Sequence, residues 1–322
     1  MTLGKVLITA ASVKGCPPAL QMMRDAGCEL VLATTPNPCT ETWQLKQTSD
    51  ISGLVFAMEP VSATLLANAK KLRVIARPGV GYDTVDLVAA SRAKVAVTIA
   101  AGTNDQSVAD LAFGLLLMAT RGLLTAANSV QAHGWERPVG TEAWRKTLAI
   151  IGYGRIGRAI ARRAHGFDMR VLVVTRRPEP TDKDVEFVSL DQALAEADII
   201  SLSAPLTPQT QNLINADTLA QMKKGAFLIN TARGGLIDES ALAEAVRSGH
   251  LGGAAVDVLR QQGAHSPSPL IGVPGILVTP HMASLTRESM TRVAMSVADS
   301  VVAVLRGERP PHVVNPEVFD GH

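Results

Sequence analysis

The chain of 322 residues has few aromatic residues, few cysteines and little net charge. Phe, Trp and Tyr make up only 3% of it although 47% is hydrophobic, so the core must be built mainly from Ala, Val, Leu and Ile. Aliphatic runs of this kind are typical of parallel sheets that helices cover on both faces. The hydrophobic content is enough for roughly two domains of about 150 residues each.

These scarcities also exclude several classes of protein. A net charge of +2, with no basic stretch that contains interleaved aromatics, argues against a nucleic-acid partner. The longest apolar run, 111–119, is too short to cross a membrane, and the N-terminus resembles a first strand more than a signal peptide. Cys16, Cys28 and Cys39 lack metal-ligand spacing, which predicts free thiols in the cytoplasm and no metal site.

Short apolar runs alternate with helical patterns, which predicts βα units and parallel sheets. The first set of strands is expected at 5–9, 29–33, 53–57, 73–76 and 95–99, with helices at 18–26 and 62–69 among them. One long helix, apolar on nearly all sides, is predicted over 106–132. A second set of strands follows at 148–151, 171–174, 199–202, 227–230, 254–258 and 276–278, before a last helix at 287–305. These six strands match a complete dinucleotide-binding sheet.

A glycine loop joins the first strand of the second set to a helix, in the stretch IIGYGRIGR. Gly152 permits the tight turn, Gly154 lets the backbone approach a pyrophosphate, and Gly157 lets helix and strand pack closely. The N-terminus of the helix then offers free N–H groups and a positive dipole end to the phosphates. The alternative is a structural turn, but the strand before the loop and the helix after it favour a dinucleotide site.

The next strand, 171–174, ends in an unusual way for this kind of sheet. An acid commonly stands there and binds the ribose hydroxyls of the adenosine, but here Thr175 is followed by Arg176 and Arg177. A hydroxyl beside two guanidinium groups favours a 2′-phosphate, which predicts NADP(H) as the cofactor, with NAD(H) possible. The alternative is that the arginines are a solvated loop at a site that takes NAD(H).

Further motifs carry a family resemblance. They are RPGVGYDTVDL at 77–87, NDQSVADLAFGLLLMATR at 104–121, APLTPQTQNLIN at 204–215, INTARGGLIDESAL at 229–242 and TPHMAS at 279–284. Together with the glycine loop, and over nearly the whole chain, they resemble the D-isomer-specific 2-hydroxyacid dehydrogenases. The phosphoglycerate dehydrogenase and hydroxypyruvate/glyoxylate reductase branches look most similar.

This resemblance implies an α/β fold with two Rossmann-like, doubly wound parallel-sheet domains. A flavodoxin-like substrate domain is expected from 1–101 and 290–322, and an NAD(P)-binding Rossmann domain from 102–289. The implied activity is hydride transfer between NADP(H), or NAD(H), and a small 2-oxo or 2-hydroxy acid such as glyoxylate or hydroxypyruvate. The helical region 104–132 resembles the dimerisation region of the family, which implies a homodimer.

The resemblance also implies the roles of single residues. Arg233 matches the arginine that grips the substrate carboxylate and polarises its carbonyl, and His281 matches the acid/base. The backbone N–H groups of Val80 and Gly81 would bind the carboxylate. Arg77, beside this loop, is a candidate for the extra cation that 3-phosphoglycerate would need. Cofactor contacts are expected from the residues between the glycines, from the strand-end residues at the adenosine end and from three residues at the nicotinamide end: Tyr153, Arg155, Ile156, Thr175, Arg176, Arg177, Thr231, Ala232 and Asp257.

One position departs from the family pattern at the catalytic histidine. The family commonly has a Glu five residues after the strand-end Asp257, where it hydrogen-bonds the histidine, but this chain has Gln262. A neutral amide can orient an imidazole, yet it supplies no negative charge to favour the imidazolium. His281 is therefore expected to be harder to protonate than in typical members.

Three alternatives to a small 2-oxo acid reductase stay open. A catalytically weak, nucleotide-sensing protein like the family's corepressor branch fits the missing glutamate. A D-3-phosphoglycerate dehydrogenase would need extra cations, and the regulatory domain common in that branch is not expected here. Formate dehydrogenases, which resemble this family, also pair Gln with His, but their characteristic segments are not found in this sequence.

Overall fold

The computed structural model describes residues 2–36, 39–57, 59–179 and 182–320 and divides the chain into two compact units. Unit 1 comprises Met1–Asn104 and Ser284–His322, and unit 2 comprises Asp105–Ala283. The predicted domains have slightly different boundaries. The first boundary was predicted at 101/102 and lies at 104/105, and the second was predicted at 289/290 and lies at 283/284. The second boundary lies before the last helix, which begins at Arg287, because a helix packs as one body and stays with a single unit.

Unit 1 contains a five-stranded parallel sheet. Its strands, in the order β2-β1-β3-β4-β5, are Gly4–Ile8 (β1), Cys28–Leu32 (β2), Gly53–Val55 (β3), Val74–Arg77 (β4) and Ala96–Ile99 (β5). The helices are Ala11–Lys14 (α1), Pro17–Asp25 (α2), Glu41–Thr48 (α3), Ala63–Asn68 (α4), Leu87–Arg92 (α5) and, at the end of the chain, Arg287–Arg306. The strand order is the flavodoxin-like one, as expected.

Unit 2 contains a seven-stranded parallel sheet in the order β12-β11-β10-β9-β6-β7-β8. The strands are Thr147–Ile151 (β6), Arg170–Val174 (β7), Glu186–Phe187 (β8), Ile199–Leu202 (β9), Phe227–Asn230 (β10), Gly253–Val256 (β11) and Ile276–Val278 (β12). The helices are Asp105–Arg121 (α6), Leu123–Gln131 (α7), Arg155–His165 (α8), Leu190–Glu196 (α9), Ala216–Gln221 (α10) and Glu239–Arg247 (α11). The six predicted strands are present, and β8 adds a short seventh at the edge.

The register of the central strands sets out the cofactor edge of unit 2. β6 pairs with β7 on one side and with β9 on the other, so Ile151 lies opposite both Val174 and Leu202. The chain therefore reverses its strand order at β6, and this switch point of a parallel sheet is where ligands bind outside the carboxyl ends of the strands.

The cores are aliphatic, as the composition indicates. In unit 2, separate clusters cover the two faces of the sheet, and one of them contains no aromatic side chain among its buried members. In unit 1, the last helix of the chain packs onto the sheet through Val293, Val297 and Val301, each at most 2% exposed. The small β-branched side chains pack well between a twisted sheet and the helices that cover it.

The prediction of one long helix over 106–132 is wrong. The helix breaks at Gly122, which adopts a left-handed conformation with φ 61°, and α6 and α7 meet at a bend of 71°. Eight residues of α6 are buried, but none of α7 is. Among the described residues, no single helix is long and apolar enough to span a membrane, although the bent pair α6–α7 meets the length and composition criteria together.

Candidate active site

The glycine loop lies between β6 and α8, at the switch point of the unit 2 sheet. Gly152 has φ 100°, and a side chain there would come within 2.5 Å of the backbone nitrogen of Ala204. A side chain at Gly157 would collide with the carbonyl oxygen of Gly152, so this glycine sets the close packing of helix and strand. A Cβ at Gly154 would meet nothing within 4 Å. The three glycines therefore fit their predicted tasks, and Gly154 leaves room for a phosphate group.

The residues after β7 stand at the next position along the same edge. Thr175 is half-buried, and its hydroxyl accepts a hydrogen bond from the backbone N–H of Arg177 at 3.3 Å. Arg176 and Arg177 are exposed. Within the described ranges, neither guanidinium forms an ion pair with an acidic side chain. Both positive charges are therefore available to an anion at the adenosine end.

A polar cluster beside these arginines was not foreseen from the sequence. The Tyr153 hydroxyl donates to Asp182 at 2.7 Å, and Arg158 stacks over the Tyr153 ring while it pairs with Glu179. Burial, together with the bond to Asp182, raises the pKa of Tyr153 well above its usual range. Arg158 thus balances two acidic residues of the loop after β7, Glu179 and, at 3.6 Å, Asp182.

At the end of β10, a buried amide shapes the segment that carries Arg233. Asn230 is fully buried, its oxygen accepts from the N–H of Ala232 at 2.9 Å, and its nitrogen donates to the carbonyl of Arg233 at 2.9 Å. Arg233 itself donates to the Ala232 carbonyl at 2.8 Å. Asn230 was not singled out from the sequence, because an asparagine at a strand end is a common feature of ordinary turns.

The neighbouring Thr231 gives an observation on cofactor fit. Its hydroxyl is buried and has no hydrogen-bond partner in the described part of the chain. A buried hydroxyl without a partner is unfavourable by itself and becomes satisfied when a ligand supplies a polar group. With the open space at Gly154 and the exposed Arg176 and Arg177, this hydroxyl fits a dinucleotide along the edge from β7 to β10.

Asp257 follows β11 and holds the segment that bears His281. The carboxylate is fully buried and accepts three hydrogen bonds, from the Thr279 hydroxyl at 2.6 Å, the Met282 N–H at 2.9 Å and the Ala283 N–H at 2.8 Å. Sequence reasoning assigned Asp257 a contact with the nicotinamide carboxamide. That contact stays a prediction, whereas the structure gives this carboxylate a structural task.

His281 occupies a strained backbone position within that segment. Its φ is 53°, in the left-handed region that non-glycine residues seldom adopt, and its N–H donates to the Asp257 carbonyl at 2.7 Å. The imidazole Nδ1 lies 2.8 Å from the Gln262 amide oxygen. The structure therefore brings Gln262 and His281 together as the sequence predicted. Because an amide oxygen can only accept, Nδ1–H is the donor in this bond, which fixes the tautomer and the orientation of the ring.

Unit 1 holds the predicted substrate loop at the end of β4. Val80 and Gly81 are half-buried. Arg77 is only 5% exposed, lies 4.7 Å above the centre of the Phe56 ring, and donates through Nε to the carbonyl of Gly81 at 3.1 Å. This geometry makes Arg77 a support of the loop, in addition to its predicted part as a substrate cation.

Glu59 lies near the end of the adjacent strand β3 and was missed in the sequence. It accepts hydrogen bonds from the hydroxyls of Thr9 at 2.9 Å and Thr35 at 2.5 Å. Burial acts to raise the pKa of Glu59, but these bonds, with those from backbone N–H groups, hold it below its usual value. The carboxyl end of β3 therefore carries a negative charge.

The described residues contain no group of three or more His, Cys, Asp or Glu side chains placed to hold a metal ion.

The chain matches proteins of one family. The sequence model for the NAD-binding domain of D-isomer-specific 2-hydroxyacid dehydrogenases matches residues 113–283. A glyoxylate reductase of Korarchaeum cryptofilum is 37% identical over 300 residues, which cover 90% of each chain. A D-3-phosphoglycerate dehydrogenase of Mycobacterium leprae is 42% identical over 267 residues, 81% of this chain but only 50% of that protein.

A solved structure has the same fold as this chain. A Thermus thermophilus protein of known crystal structure shares 36% identity and superposes with a TM-score of 0.88, over 96% of this chain and 99% of its own.

Proposed function

The chain belongs to the D-isomer-specific 2-hydroxyacid dehydrogenase family, and from that premise we propose that it reduces a small 2-oxo acid, such as glyoxylate or hydroxypyruvate, with NADPH. Family and relatives are NAD(P)-dependent oxidoreductases acting on 2-hydroxy acids. The observation that carries the proposal is the Gln262–His281 hydrogen bond of 2.8 Å, which holds an imidazole at the same sheet edge as Arg233.

The roles of the side chains follow from their charges. A bound nicotinamide supplies the hydride. Arg233 would grip the substrate carboxylate and polarise its carbonyl, since a guanidinium offers a rigid fork of donors. His281 would give the proton that the forming alkoxide needs, and Gln262 would keep its ring oriented for this transfer.

The direct test is a substrate panel with NADPH and NADH, followed at 340 nm. We expect cofactor oxidation with one or more of glyoxylate, hydroxypyruvate and pyruvate, and at least a 100-fold loss in Arg233→Ala, because a charged, bidentate contact is removed (about 3 kcal/mol). No oxidation of either cofactor with any acid, despite tight NADPH binding by calorimetry, would instead favour the nucleotide-sensing alternative.

NADPH is proposed as the preferred cofactor because of the end of β7. An acid is lacking at Thr175, and the exposed Arg176 and Arg177 carry charge without an acidic partner among the described residues. The 2′-phosphate would complete this electrostatic arrangement through charge-assisted hydrogen bonds.

Replacing both arginines should reverse part of that preference. In Arg176→Ala/Arg177→Ala we expect the ratio of kcat/KM for NADPH over NADH to fall by roughly 10- to 100-fold or more, since the loss of even one charged hydrogen bond to the phosphate costs about 1.5–3 kcal/mol. Arg162→Ala serves as the matched control because it removes an exposed arginine from the last turn of α8. An unchanged ratio in the double variant would mean that the arginines are only a solvated turn.

The amide at Gln262 should also show itself in the pH dependence. Reduction needs protonated His281, so kcat/KM for the 2-oxo acid should fall as pH rises through the pKa of His281. Because a carboxylate favours the imidazolium, Gln262→Glu is expected to move this fall to higher pH by about one unit or more. The profiles of wild type and variant, measured from pH 5 to 9, decide this, and superimposable curves would contradict it.

We also propose a homodimer, with α7 at its interface. Leu123, Leu124 and Val130 are 46%, 41% and 52% exposed, so the helix presents apolar side chains that unit 2 leaves uncovered. Light scattering should give twice the mass of 33.9 kDa, and Leu124→Lys/Val130→Lys should shift the protein towards the monomer. A monomeric wild type would exclude the dimer.

The cytoplasm remains the proposed location, consistent with the free Cys16, Cys28 and Cys39.

Oxidation of 3-phosphoglycerate is the weaker candidate. Arg77, which was its candidate cation, is buried against Phe56, and Glu59 adds a negative charge at the same sheet edge. A phosphate group near Glu59 would be repelled, so we place this substrate after the unphosphorylated acids.

A further inference from the structure

One buried carboxylate ties down both ends of the loop that carries Gln262. Glu239 begins α11, yet it is only 7% exposed. Its Oε1 accepts from the backbone N–H of Arg260 at 2.7 Å, and its Oε2 accepts from the hydroxyl of Ser268 at 2.7 Å. Gln262 lies between these two anchor points.

The first anchor point is reinforced from the opposite direction. The Arg260 guanidinium folds back and donates through Nε and a terminal nitrogen to the carbonyl of Ile237, at 2.9 and 2.7 Å. Leu259 and Leu270, on either side of the loop, are buried in one core cluster of unit 2. Between these points, the residues 260–265 are all exposed. Core packing therefore holds the ends of the loop but not its middle, where Gln262 stands.

The same contact reaches the segment behind Arg233. Gly234 follows Arg233, and a side chain at Gly234 would collide with the backbone of Leu259 and Arg260. The backbone next to Arg233 therefore packs against the backbone at the start of the loop that carries Gln262. The carboxylate of Glu239 stabilises this contact through its hydrogen bond with the Arg260 N–H.

We propose that Glu239 is a positioning residue for the Gln262–His281 pair. Its two hydrogen bonds fix the position of the 260–268 loop at both ends, so that the amide oxygen of Gln262 lies 2.8 Å from Nδ1 of His281. A buried carboxylate that accepts two hydrogen bonds fixes the loop strongly. Removing the carboxylate would leave the two donors unsatisfied where little water can reach them. The inference rests on the proposed acid/base task of His281.

The test is a double-mutant cycle between Glu239→Ala and Gln262→Ala, with two readouts. The first is kcat/KM for the 2-oxo acid against pH, and the second is the titration of the His281 ring by NMR in histidine-labelled protein. His281→Asn identifies the resonance. We expect each single variant to lose about 10- to 100-fold in kcat/KM, and each to lower the pKa of His281 to the same extent, because the amide oxygen no longer accepts from Nδ1–H.

The double variant carries the decision. If Glu239 acts through Gln262, the double variant is no worse than Gln262→Ala alone, since the second change removes an interaction that is already lost. Losses that multiply, or a His281 titration in Glu239→Ala equal to that of wild type, would overturn the proposal and leave Glu239 a structural residue only.

Matched variants separate positioning from stability and charge. Glu239→Gln keeps an acceptor oxygen for the Arg260 N–H and offers an amide N–H that the Ser268 hydroxyl can accept, so it should retain the wild-type titration of His281. Glu244→Ala removes an exposed glutamate from the same helix and should change neither readout. Ser268→Ala removes one of the two bonds and is expected to shift the titration part of the way, also if Glu239→Ala does not fold.

The two proposals fail in different ways. If the wild-type enzyme reduces no 2-oxo acid, the proposed function fails, but the NMR titrations still report whether Glu239 controls the environment of His281.

Discussion

The candidate active site depends on the hydrogen bonds that the buried Asp257 carboxylate accepts. Three donors from the segment after β12 converge on it, and the backbone N–H of His281 donates to its carbonyl. These bonds make it possible for His281 to keep a left-handed backbone that costs on the order of 1–3 kcal/mol. The bonds to Asp257 thus hold the segment with His281 after β12, while Arg233 follows β10 of the same sheet.

The site is built from backbone contacts as much as from side chains with chemistry. Asn230 shapes the turn that carries Arg233, Asp257 shapes the segment that carries His281, and Glu239 fastens the loop that carries Gln262. Each of the three is a buried polar side chain that bonds to backbone groups. The fold thus gives each reactive group its own support, which limits how far any of them drifts when substrate and cofactor are absent.

Much of the architecture could be predicted because apolar runs bounded by turn residues are a local signal. Three predicted strands, for example 227–230, have the bounds of the observed ones. The break at Gly122 could not be predicted, since both halves of the 106–132 region are apolar and a glycine is tolerated within helices. Gln262 and His281 were identified through the resemblance to the family's motifs. The tasks of Asn230 and Glu239 come from contacts between distant segments, which no local pattern shows.

The short strand β8 affects how easily another chain can pair with the edge of the unit 2 sheet. An aliphatic parallel sheet with an open side is a template onto which other chains can add. One edge of this sheet is β8, a strand of only two residues. Both carboxylate oxygens of Glu186 accept hydrogen bonds from Arg170 of the neighbouring strand β7. Such a short, charged edge strand offers few unpaired backbone groups in a row, which disfavours the addition of another chain at this edge of the sheet.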